Sequence, residues 1–264
     1  MEKLSPIKSE KIWGYEDWIA STHPNGFQKK LFEMYGKDYP LLVKIIQANE
    51  NLSIQIHPDD TQAKLYENCR GKTECWYILS AEKNTKLIYG LKKDYSKEEL
   101  KNAITQNTLE QYLNYEKVEA GDFIYIPAGT VHAICGGLRI LEVQQSSDIT
   151  YRLYDYGRGR ECHIEKGLNC IKHSPKKQIN KLNNTFTCPH FHLQKIEIKD
   201  NLSLPITTKN QSDITLLFIL KGTGTINEIP VKEEEIFAFN SGETATINGT
   251  LDIIKITTNE NKAL

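Results

Sequence analysis

The chain has 264 residues, 39% of them hydrophobic, enough to bury one or two full cores. Its 33 Lys and Arg nearly balance 34 Asp and Glu, which leaves no basic field for a nucleic-acid backbone and no polybasic tail for a membrane surface. Met1 to Pro6 lacks the apolar run of a secretory leader, and no apolar stretch of membrane-spanning length occurs. The expectation is a cytoplasmic protein acting on something small.

The first forty residues read as loop-rich, with Trp13 and Trp18 plugging one end of a β-barrel. Pro40 to Ile46 is a short apolar run that predicts a buried strand. In Asn51 to Pro58 the alternation is regular: Ile54 and Ile56 point one way, and Ser53, Gln55 and His57 point the other. Three polar side chains on an inward face would be costly unless something uses them, whereas on a solvent face they are ordinary. Pro58-Asp59-Asp60-Thr61 predicts a turn that caps a short helix.

Gly71 to Leu79 predicts the next strand, with Lys72 and Glu74 on one face. If Glu74 meets Gln55, His57 and His132 inside one barrel, two imidazoles, a carboxylate and an amide oxygen suit a divalent metal. Ser96-Lys97-Glu98-Glu99 and Thr108-Leu109-Glu110-Gln111 each have the spacing of a capping box, predicting two short helices outside the barrel.

The centre of the chain is Gly121 to His132. A Gly-Asp turn opens an apolar strand, Pro127 ends it, Gly129 allows a tight turn, and His132 begins the next strand. The spacing G-x5-P-x-G-x2-H resembles the second motif of the cupin barrels at every position. After Gly136-Gly137 comes Leu138 to Gln145, with Glu142 and Gln144 on one face. Three arginines then follow, Arg152, Arg158 and Arg160. Arginine is the natural fork for phosphate, and Arg158 and Arg160 also fit an exposed loop.

His163, Cys188, His190 and His192 read as structural, because no second pair has zinc-site spacing. The six cysteines include no C-x-x-C pair and read as reduced thiols. Residues 172–185 read as a linker between a first domain, 1–171, and a second, 186–264. The second is β-rich, and Phe237 to Ala245 resembles a worn copy of the central motif. Gly242 falls under Gly129, and Ala245 stands where His132 does.

With S-I-Q-I-H-P-D-D, G-K-T-E-C-W-Y-I, P-A-G-T-V-H and S-D-I-T-Y-R-L-Y-D-Y-G-R in order, the chain resembles the type I phosphomannose isomerases, in their short bacterial branch. The resemblance covers roughly residues 7–258. It implies an all-β protein of two tandem cupin barrels with a few short helices. The first would be a catalytic metal-binding domain and the second a degenerate one without metal ligands. It implies one zinc ion per chain and conversion between mannose 6-phosphate and fructose 6-phosphate. Carried over by motif, Gln55, His57, Glu74 and His132 are the zinc ligands and Arg152 the active-site arginine. Ser53, Lys72 and Glu142 line the substrate site, with Lys72 and Glu142 joining Arg152 in the chemistry. The chain departs from the pattern in a short segment between Trp13 and Pro40. The alternatives are a metal-bearing sugar-phosphate sensor and an iron cupin dioxygenase. The partner is a small sugar phosphate, not nucleic acid or membrane, and the oligomeric state is open between monomer and homodimer.

Overall fold

The computed structural model describes residues 1–172, 179–208 and 213–259. Antiparallel strands dominate, with short helices at Lys29–Tyr35, Asp60–Glu67, Lys97–Thr105 and Ile164–Cys170. The chain divides into two compact units. One comprises Lys8–Asp17 and Lys44–Lys181, the other Met1–Ile7, Trp18–Val43 and Leu182–Leu264. No helix among the described residues is long and apolar enough to cross a membrane.

In the first unit a five-stranded sheet runs in the order Tyr151–Tyr154, Ile54–Ile56, His132–Ile134, Lys86–Leu91, Leu113–Lys117. A larger sheet includes Asp122–Ile126, Glu74–Ala81 and Leu138–Gln145 as neighbours. Trp76, Ile78, Ile124 and Ile140 from the larger sheet share one core with Leu87, Tyr89 and Ile134 from the smaller. The smaller sheet's other face is apolar as well: Ile54 and Ile56 pack with Leu100, Ile104 and Leu168 of the covering helices. Each fully buried isoleucine there contributes about 2 kcal/mol. The alternation at 53–57 therefore sends the isoleucines under helices and Gln55 to the opposite face.

Asp59 caps the helix Asp60–Glu67 by accepting from the Gln62 amide at 2.9 Å. Ser96 and Glu99 close the expected capping box at 3.1 and 2.7 Å. The second expected box does not form. Leu109–Tyr112 is a single 3-10 turn, and Thr108 donates its hydroxyl back to the Ala103 carbonyl. Four residues are too few to repay an α-helical nucleus.

The loop-rich reading of the N-terminus is also corrected, since Ile7–Lys11 and Gly14–Ala20 are strands. Their charged residues hide the apolar pattern by which buried strands are read. Trp13 joins the core of the first unit, while Trp18 lies over Gly26, where an added methyl carbon would fall 2.4 Å from the indole.

In the second unit Ile214–Ile226 and Thr244–Thr258 pair along most of their length, flanked by Ile236–Asn240 and Phe191–Ile198. Glu2–Lys3 adds to this sheet, with Glu2 opposite Ala238. The unit that holds 182–264 also takes in Trp18–Val43 and Met1–Ile7, whose edge strand Glu2–Lys3 joins its sheet. Of the expected linker, 173–178 lie outside the described residues, and Ile179–Lys181 pairs with Asp122–Ile126. Gly129 and Gly242 share one left-handed turn geometry, φ 90° and 88°. Ala245 is buried in the apolar interior of the second unit beside Phe237 and Phe239.

Candidate active site

Strand register builds the site. Gln55 stands opposite both Arg152 and His132, and His132 stands opposite Tyr89. Directly opposed residues share a face, so Arg152, Gln55, His132 and Tyr89 form one row across the smaller sheet. From the larger sheet come Glu74, opposite Gln144, and Trp76, opposite Glu142. The central turn ties the groups together: the Gly129 amide donates to the His57 carbonyl at 2.9 Å, next to the strand that carries Gln55.

His57, Glu74 and His132 converge, with their ligand atoms all within 4.8 Å of one another. His57 Nδ1 lies 2.8 Å from the Ile149 carbonyl, and His132 Nδ1 lies 2.9 Å from that of Thr130. A carbonyl only accepts, so in each ring Nδ1 carries the proton and Nε2 presents its lone pair. Those Nε2 atoms lie 3.5 and 3.4 Å from the Glu74 carboxylate, which is fully buried. Burial pushes both imidazoles toward the neutral, ligating form. His57 is held well below its ordinary pKa, and His132 is lowered to about 4.

Lys72 Nζ stands beside this group, 3.0 Å from His57 Nε2 and 2.9 Å from Glu74 Oε2. Burial pulls its pKa down, but Glu74 and Glu142 more than offset this and leave it raised, so the ammonium is charged. A cation thus already stands against the His57 lone pair and the Glu74 carboxylate. Gln55 Nε2 lies 3.4 Å from His132 Nε2, and Ser53 donates to Gln55 Oε1 at 3.2 Å. A half-turn of the carboxamide exchanges its O and N and offers a fourth donor.

These groups fit a divalent ion: a buried carboxylate, two imidazoles each fixed by a backbone carbonyl, and an adjacent amide. Gln144 adds a buried amide oxygen without a partner opposite Glu74.

Glu142 is buried one step along the same face. Its Oε2 accepts from Trp76 Nε1 at 3.1 Å, and its Oε1 lies 3.4 Å from Lys44 Nζ. Trp76 in turn meets the His132 ring edge to face at 5.5 Å. Burial, then the nearby Glu74 charge, raise the Glu142 pKa. Lys44 also pairs with Glu16 at 3.7 Å. Lys44 escaped the sequence reading, although a lone lysine inside the apolar run Leu41-Leu42-Val43-Lys44-Ile45-Ile46 is itself a signal.

Arg152 is half-buried at the end of the Gln55–His132 row, and its Nε has no hydrogen-bond partner. Arg158 and Arg160 instead bind Asp155, at 3.1 and 2.5 Å. His163 does not join the convergent group; its amide donates to the Arg152 carbonyl at 2.8 Å.

Fold and site together define a cupin-class protein with a buried His-Glu-His centre able to hold a metal. Residues 3–113 match the phosphomannose isomerase type I catalytic domain. The chain is 33% identical to mannose-6-phosphate isomerase ManA of Bacillus subtilis, covering 91% of this chain and 90% of that one. The crystal structure of the mannose 6-phosphate isomerase from Bacillus subtilis superposes with a TM-score of 0.82 at 29% identity, covering 96% and 98% of the two chains. A point mutant of phosphomannose isomerase from Salmonella typhimurium shares the fold at 15% identity, with a TM-score of 0.76 over 98% and 100%. The chain belongs to the type I phosphomannose isomerase family and is an enzyme of the isomerase class.

Proposed function

We propose that this chain interconverts mannose 6-phosphate and fructose 6-phosphate in the cytoplasm, as a zinc-dependent aldose–ketose isomerase working through an enediol-type intermediate. The observation that carries the proposal is the convergence of His57, Glu74 and His132 in a member of this family. His57, Glu74, His132 and Gln55 are the groups that would hold one zinc ion per chain. Bound there, the ion supplies Lewis-acid stabilisation of the negative charge that develops on the sugar oxygens.

The remaining work falls to side chains. Isomerisation takes a proton from C2 of the open-chain aldose and returns one to C1. Glu142 is assigned that transfer: it is buried, its pKa is raised, and it lies on the same sheet face as Glu74. Lys72 remains charged and offsets the charge of the deprotonated sugar. Arg152, at the open end of the row, takes the phosphate or the enediol oxygens as a charge-assisted donor. Ser53 orients Gln55 through the 3.2 Å bond and lines the substrate pocket. Trp76 and Lys44 hold the Glu142 carboxylate in place.

In the same reading the first domain is the catalytic cupin, and the C-terminal domain is a degenerate copy. Running the reaction in D2O tests the enediol: solvent deuterium should enter C1 of fructose 6-phosphate. Turnover with no exchange at all would point to hydride transfer and overturn the mechanism.

A further inference from the structure

The second unit contains a cavity of about 380 Å³ for which the isomerase reading has no use. Its walls include Thr187, His192, Asp213, Lys255 and Thr257. Register explains the assembly. Thr187 stands opposite His192, His192 opposite Thr257, and Thr257 opposite Thr215. These four form one row on one sheet face, and Lys255, two residues before Thr257, shares that face. Farther along it the residues are apolar, Leu217 and Ile253 among them. The cavity is thus the polar end of an otherwise greasy interior.

Two polar groups on this face lack a partner. Thr215 is fully buried, yet its hydroxyl has no hydrogen-bond partner. Lys255 is half-buried, and among the described residues no carboxylate or other acceptor pairs with it. Burial lowers its pKa, and burial together with Lys255 lowers that of His192. His192 is held by the Thr187 hydroxyl, 2.6 Å from Nδ1, which leaves Nε2 for another partner. Leaving a lysine unpaired in a partly dry wall costs stability that an outside acceptor would restore. Asp213 is the one carboxylate among the lining residues and is suited to accept from a hydroxyl.

We propose that this cavity is a second ligand site, for a small hydroxylated metabolite carrying a phosphate group. Lys255 and His192 take the phosphate, and Thr257 and Asp213 take the hydroxyls. The site stands apart from the assigned isomerase chemistry, so either assignment can fail without the other.

The test is an NMR pH titration of the full-length protein, following the His192 imidazole, whose signal is assigned with His192→Gln. A bound phosphate stabilises the imidazolium and must raise the His192 pKa. The expected result is a saturable rise with inorganic phosphate and with glycerol 3-phosphate. The latter should half-saturate at a concentration at least about threefold lower, because its hydroxyls add contacts. Lys255→Met should weaken both by about tenfold or more, since it removes the charged donor. Should that variant lose its native near-ultraviolet dichroism, Thr257→Val serves instead and should weaken glycerol 3-phosphate more than phosphate. A His192 signal indifferent to either compound up to about 20 mM, far weaker than a built site should bind, would overturn the proposal. So would a Lys255→Met protein that titrates like the parent, or equal affinity for the two compounds.

Discussion

Glu142→Gln separates proton transfer from mere support. The amide keeps the shape of the side chain and an oxygen able to accept from Trp76 Nε1, now at 3.1 Å. What it loses is the titrating group. If Glu142 moves the proton, turnover falls by about 10²- to 10⁴-fold, the range for general acid–base catalysis, or roughly 3–5 kcal/mol of barrier. Stability should move far less, for two opposed reasons. Exchanging a carboxylate for an amide weakens the Trp76 bond by about 1 kcal/mol. Against this, the Glu142 pKa is raised by burial, so its ionised form is disfavoured in the folded chain at neutral pH, and the neutral amide escapes that penalty. Lys44 keeps Glu16 as a partner at 3.7 Å. The net change should stay within about 2 kcal/mol, a Tm shift of only a few degrees for a chain of this size. The assay couples fructose 6-phosphate production to a dehydrogenase and measures metal content and thermal unfolding on the same preparation. The acid limb of the parent's pH–rate profile, lying above the ordinary carboxylate range, should vanish in the variant. Activity within about fivefold of the parent would fall short of any general-base contribution and refute the assignment. Loss of metal together with activity would make Glu142 part of the metal's support.

Arg152→Ala should lower kcat/KM by about 10²- to 10³-fold, the loss from one charge-stabilising donor, without changing metal content; near-normal activity would refute its role. His132→Ala should reduce bound metal in purified protein from about one ion per chain to a small fraction of that, because it removes an imidazole already locked by a carbonyl; elemental analysis reads it directly, and full loading would contradict the ligand assignment. Metal-free protein should lose stability as the pH falls from 6.5 toward 4. His132 has a folded pKa of about 4 against an ordinary 6.5, so in that window the unfolded chain binds the proton and the folded chain does not. The group thus opposes folding by up to about 3 kcal/mol at the acid end. Urea unfolding at pH 7 and pH 4.5 measures it, and equal stabilities would show that His132 is not buried neutral.

Much of the fold and site was legible because strands alternate. Ile54 and Ile56 against Gln55 and His57 is a two-sided pattern, and the structure places the isoleucines under helices and Gln55 opposite His132. The turn around Gly129 was legible for a different reason: few residues other than glycine accept φ near 90°, so spacing alone announces it. Lys44 was legible only as a lysine out of place in an apolar run; that it reaches Glu142 depends on a strand far off in sequence. The pairing of Glu2–Lys3 with Phe237–Ala238 was beyond reach as well. Two residues carry no periodicity, and their partner lies at the other end of the chain. The 3-10 turn at Leu109–Tyr112 shows the limit of a cap signal: the right residues at the right spacing form no box when the following element is one turn long.

The most direct test of the central claim is a coupled assay for fructose 6-phosphate formed from mannose 6-phosphate, run on the purified chain before and after chelation. Turnover should be present, should disappear when metal is stripped, and should return on addition of about one equivalent of zinc, as expected of a single-site metal-dependent isomerase. A chain that binds the sugar phosphate without converting it, or that turns over undiminished without metal, would contradict the account.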